Sequence, residues 1–151
     1  METIRVKPVT IIGNCPANLT LESEVQIQGM NLGNPNGNPI CFLALSHLPV
    51  STWQLQSGSR FFAHSSCPGC ITDLDDENRV VFLLGHEDKW ELCKVISEYL
   101  QLSKQYEEPK QALKLKREAM QHQNHGEFPE ALDKMKAALK EMQSAASSTE
   151  D

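Results

Sequence analysis

Residues 79–99 read Arg-Val-Val-Phe-Leu-Leu-Gly-His-Glu-Asp-Lys-Trp-Glu-Leu-Cys-Lys-Val-Ile-Ser-Glu-Tyr, and the hydrophobic period changes partway along them. Arg79 to Leu84 is a short apolar run of the kind that forms a buried strand. After Gly85 the apolar residues Leu92, Val95, Ile96 and Tyr99 recur at helical spacing, and Tyr106 extends the stripe. A chain whose period stays helical after Gly85 predicts an α+β unit over 1–86 followed by a helical region over 87–143.

Upstream of the switch the pattern is that of short strands. Residues 3–12 mix Ile4, Val6, Val9, Ile11 and Ile12 with Arg5, Lys7 and Thr10, which predicts a strand. Pro8 inside it calls for an edge position or a bulge. Residues 19–28 place Leu19, Leu21, Val25 and Ile27 on one side and Thr20, Glu22, Glu24 and Gln26 on the other, the alternation of a half-buried strand. Gly29 to Pro39, rich in Gly, Asn and Pro, reads as a loop. Asn38-Pro39 offers an N-cap and a first-turn proline. A helix over roughly 39–48 follows, with Cys41, Phe42, Leu45 and Leu48 near its buried side. Arg60 to His64 predicts one further strand, and the acidic stretch Asp73 to Asn78 a solvated turn.

Downstream, Pro109 ends the first helix and a second spans about 110–124, with Ala112, Leu115 and Ala119 on one side. A third carries Phe128, Ala131, Leu132, Met135, Ala138, Leu139 and Met142 as a continuous stripe. Its acidic residues Glu127 and Glu130 come first and Lys136 and Lys140 later, an order that suits the helix dipole. Residues 144–151, Ser-Ala-Ala-Ser-Ser-Thr-Glu-Asp, predict a disordered tail.

The chemistry of the chain lies in its thiols. Cys15, Cys41, Cys67 and Cys70 fall in the first half, and the last two form Cys67-Pro68-Gly69-Cys70. Four thiolates with one Cys-x2-Cys chelate make a tetrahedral zinc site. The close pair supplies two ligands at little entropic cost, and Gly69 allows the sharp bend between them. Iron, as a single ion or an iron–sulfur cluster, uses the same ligands. The intervals from Cys15 to Cys41 and from Cys41 to Cys67 are both 26 residues, far longer than zinc-finger spacing. A thioredoxin-like dithiol requires a thiolate at a helix N-terminus. Here Cys70 is followed by Ile-Thr-Asp-Leu-Asp-Asp-Glu-Asn, acidic and turn-like, which argues against that chemistry. The plain alternative is that the cysteines pack as small hydrophobes. Cys93, within the helical stripe, fits that role. His47, His64 and His86 are substitute ligands on paper, but histidines near strand ends more often serve as hydrogen-bonded structural residues.

Charge and length exclude other classes. The net charge of −6 divides evenly, −3 over 1–86 and −3 over 87–151, so neither half offers a cationic face to nucleic acid or an anionic membrane. No apolar run approaches a membrane span, and the N-terminus lacks a signal-peptide pattern. A cytoplasmic protein with reduced thiols is expected. No P-loop, dinucleotide-binding fingerprint or catalytic triad spacing appears, so the sequence assigns no catalytic residue.

Two resemblances add to this reading. Cys15-Pro16-Ala17, Ile40-Cys41-Phe42-Leu43-Ala44-Leu45 with Pro49, and Cys67-Pro68-Gly69 followed by Asn78-Arg79-Val80-Val81-Phe82 occur in that order over residues 4–84. Together they resemble a small prokaryotic family of short proteins with no established activity. The resemblance aligns Cys15, Cys41 and Cys67 with that family's cysteines, while Cys70 is less typical of it. Gly126-Glu127-Phe128-Pro129-Glu130-Ala131-Leu132 with Ala138-Leu139, preceded by Leu115 and Ala119, resembles a single tetratricopeptide repeat over 110–143. Arg117, Glu118 and His122 depart from its aromatic pattern. One repeat cannot bury its own face, so the resemblance implies cover from helix 87–106, from the α+β unit or from a second copy in a homodimer. It also implies a protein partner at the C-terminal helices; the plain alternative is an ordinary helical hairpin. The expectation is a non-catalytic metal-binding module, with structural zinc, joined to a helical interaction region. An iron–sulfur electron-transfer protein and an adaptor with purely structural cysteines are the alternatives.

Overall fold

The computed structural model describes residues 2–37, 40–58, 60–71 and 77–149, with the side chains of Cys70, Ile71, Glu77 and Thr149 outside the description. It is an α+β protein whose chain divides into two compact units, Met1–Trp90 and Glu91–Asp151.

The first unit is a sheet in the order β3-β2-β1-β6-β4, antiparallel throughout. The strands are β1 (Thr3–Ile12), β2 (Val25–Gln28), β3 (Asn31–Gly33), β4 (Phe62–Ser66) and β6 (Glu77–His86), while the two-residue β5 (Cys70–Ile71) pairs with the start of β6. The two ten-residue strands β1 and β6 lie side by side at its centre. Ile4 and Val6 on β1, and Val80, Phe82 and Leu84 on β6, are buried at alternate positions, so one face of the sheet forms the core. Two short helices, α1 (Phe42–Leu45) and α2 (Leu48–Gln56), contribute Ala44, Leu48 and Leu55 to the same cluster. Full burial of Leu55 and Leu84 stabilises the fold by about 1.5–3 kcal/mol each.

Several expectations change here, each for a local reason. Pro8 meets both parts of the expectation: the register with β6 slips between Pro8 and Thr10, and β2 pairs with β1 only through Val6, so that side of Pro8 faces no strand among the described residues. The strand expected over 19–28 is confined to Val25–Gln28. Ahead of it, Ser23 N–H donates to the Thr20 carbonyl, Thr20 N–H to Ser23 Oγ, and Glu22 N–H to Thr20 Oγ1. Those hydroxyls offer the backbone a turn in place of a ladder, and Leu21 is left 53% exposed. The expected loop after Gln28 holds a tight hairpin. Gly29, at φ 60, takes the first central position that demands a positive angle, and β3 returns from Asn31. Asn38-Pro39 lies outside the described residues. The expected helix over 39–48 is two helices. Phe42 is 84% exposed and not inward-facing, whereas Ala44 is buried. Pro49 in the first turn of α2 opens a helix that the sequence reading stopped short of.

The second unit holds most of α3 (Trp90–Ser103), together with α4 (Lys110–Asn124) and α5 (Phe128–Thr149). Leu92, Cys93, Val95 and Tyr99 of α3 are buried. α4 and α5 pack along each other through small and flexible side chains: Ala112 and Ala119 from one, and Ala131, Met135, Ala138 and Met142 from the other. The tail expected over 144–151 is helical through Thr149, because Ala145 and Ala146 sustain the helix and Ala146 stays on its buried side. No helix among the described residues is long and apolar enough to cross a membrane.

Candidate metal centre

Cys15, Cys41 and Cys67, from three separate segments, line one small pocket in the first unit. Each is positioned by a different device. Cys15 opens a turn closed by Asn18 N–H donating to its carbonyl at 2.9 Å. The residue before it, Asn14, donates its N–H to Asn78 Oδ1 at 2.7 Å, which fastens this loop to the start of β6. Cys41 sits immediately before α1 in an extended conformation, and its carbonyl accepts from Leu45 N–H at 3.2 Å.

Cys67 is the most firmly held of the three. Its N–H donates to the Val80 carbonyl at 2.9 Å, and Val80 N–H donates back to Cys67 Sγ at 3.1 Å. Two residues on, Gly69 has φ 91, and a Cβ there would lie 3.4 Å from the Asn78 carbonyl oxygen. The chain then pairs Cys70 with Asn78 in β5. Cys70 therefore enters a strand and does not begin a helix, so the dithiol geometry of a thioredoxin-like site is not built. Its side chain lies outside the described residues, as do Asp73, Asp75 and Asp76 of the acidic turn.

The pocket is about 10 Å³, room for one water-sized sphere. Leu19, Ala44 and Val80 make its apolar wall, and Arg79 is the single charged residue among those that line it. Cys15, Cys41, Cys67 and Cys93 form no disulfide. Among the described residues no group of three or more His, Cys, Asp or Glu stands close enough to hold a metal ion. A zinc–sulfur bond of about 2.3 Å requires the three Sγ atoms to draw inward around a common point.

The histidines stand elsewhere. His47 precedes α2, and its carbonyl accepts from Ser65 Oγ at 3.0 Å. His64 stacks edge-on to Phe62. His86 is buried, with Nε2 3.1 Å from the Leu55 carbonyl oxygen and Nδ1 3.1 Å from the Glu2 carboxylate. None lines the pocket. Sequence reasoning passed over Asn78 and the Val80 amide, which hold two of the cysteine loops. A lone asparagine heading an apolar strand, itself buried, was the available signal for the first. Nothing in a sequence marks the second.

Comparison with protein-family models, curated proteins and solved structures found no match. The two resemblances therefore stand on their own residues.

Proposed function

We propose that the first unit is a non-catalytic metal-binding module in which Cys15, Cys41 and Cys67 ligate a structural zinc ion, with Cys70 as the candidate fourth ligand. The observation that carries this reading is the convergence of three thiols, each 26 residues from the next, on one ion-sized space. The Val80 amide directed at Cys67 Sγ holds that sulfur at the pocket. Zinc held this way ties the Cys15 turn, the entry of α1 and the Cys67 turn together, and its binding energy adds to folding energy. The α4–α5 hairpin is the accompanying region for a protein partner.

A second reading rests on the apolar wall and on the absence of a preformed ligand group among the described residues. In it the thiols pack as small hydrophobes and the protein is an adaptor. Cobalt(II) titration of the reduced protein separates the two. The metal site predicts a sulfur-to-cobalt charge-transfer band whose intensity counts three or four thiolates. Serine at Cys15, Cys41 or Cys67 removes it, and serine at Cys70 reports the fourth ligand. A protein that develops no such band holds packing cysteines.

A further inference from the structure

A second concavity in the first unit has the opposite character. It is an open groove of about 420 Å³ between the β2–β3 hairpin and α2. Ile27 and Leu32, directly opposite each other across the hairpin, both line it, so this face of the hairpin looks toward the helix. Gln56 Nε2 donates to the Gly29 carbonyl at 2.8 Å and fixes the helix to the hairpin turn. Met30 is 99% exposed and Trp53 66% exposed along the groove, a large apolar and aromatic surface to leave in water. None of the residues lining the groove is charged, in a chain where 23% of residues are. β3 is the last strand on its side of the sheet, so its outer backbone groups pair with no strand among the described residues.

We propose that this groove binds an extended, uncharged peptide segment of a partner protein, which adds to the sheet beside β3. Leu32, the residue of β3 whose N–H and C=O face away from β2, would exchange backbone hydrogen bonds with the segment. Alternate apolar side chains of the segment would fall between Leu32 and Trp53, the arrangement by which an edge strand beside a helix reads a peptide. Charge complementarity selects the occupant: a charged side chain entering this groove would lose its hydration and find no opposite charge.

Selection of a random linear peptide library on the full chain tests the proposal, with Trp53→Glu as the counter-selected variant. Met30→Glu serves as a second variant, because both residues are exposed and neither belongs to the core. Enriched peptides should be uncharged, with apolar residues at alternate positions, and should shift Trp53 emission saturably. Either variant, or N-methylation of alternate peptide amides, should weaken binding by at least about a factor of ten, as for a central anchor. No enrichment would overturn the proposal. So would peptides that bind both variants as well as the parent, or that tolerate N-methylation. A concentration-dependent dimer abolished by Trp53→Glu would assign the groove to a second copy and overturn it equally.

Discussion

The two units bury their apolar residues in contrasting ways. In the first, β1 pairs with β6 across most of the unit's length, so segments far apart in sequence must meet. In the second, α4 and α5 are neighbours joined by a short turn at Gly126. The difference decides where chemistry can arise. Long-range pairing brings together Cys15, Cys41 and Cys67, which no local spacing connects. The hairpin offers a surface set by helical period alone.

The largest effect expected from this contrast is on the sheet. Leu84→Ala, at a fully buried position of the central strand, should destabilise the first unit by about 2–5 kcal/mol in denaturant unfolding. It should also expose Cys15, Cys41 and Cys67 to thiol reagents together. Exposure of only one of them would break the claim that sheet pairing assembles the pocket.

Next comes a pair of cysteines with opposite outcomes. Cys67→Ser should abolish metal retention, since it removes the sulfur ligand while its hydroxyl can still accept from the Val80 amide. Cys93→Ser buries a hydroxyl at 0% exposure and should cost about 1–3 kcal/mol of stability while leaving metal content unchanged. Equal metal loss in both would erase the distinction between the pocket and the packing cysteine.

The second unit carries its own titration signature. Burial pushes the Tyr99 phenol from its usual 10 up to about 12, and the Glu108 carboxylate beside it adds to the effect. A pKa raised by folding means that the folded state holds its proton more tightly. Stability from this group is therefore complete below pH 10 and is lost between pH 10 and 12. Ultraviolet titration should show a late phenolate, and Glu108→Gln should bring it earlier. The smallest effect belongs to the exposed pair of Lys134 and Glu118, 2.9 Å apart. Lys134→Gln should let the Glu118 carboxyl, held down chiefly by the hydrogen bond from Lys134, rise toward the ordinary carboxylate range by NMR. The thermal midpoint should barely move, because exposed ion pairs are solvated in both states.

Legibility in the sequence followed the same division. Lys110–Asn124 and the start of α5 are plain from helical period, because each helix owes its position to residues three and four away. β1 is equally plain from its apolar content. Leu19 to Glu24 misled because their alternation is real but the hydroxyls of Thr20 and Ser23 capture the backbone first. α2 went unread because Pro49, Val50, Ser51 and Thr52 resemble a connection until the core supplies Leu48 and Leu55 with partners. Of the candidate site, residue identity was legible and convergence was not. Three thiols at even intervals say nothing of a shared pocket until β1 and β6 have paired.

Elemental analysis of anaerobically purified protein, with thiol titration in the native state, decides whether the three thiols serve a metal ion. About one zinc per chain is expected, with Cys15, Cys41 and Cys67 protected until a chelator is added. Metal-free protein whose thiols in that pocket react freely in the native state would contradict it.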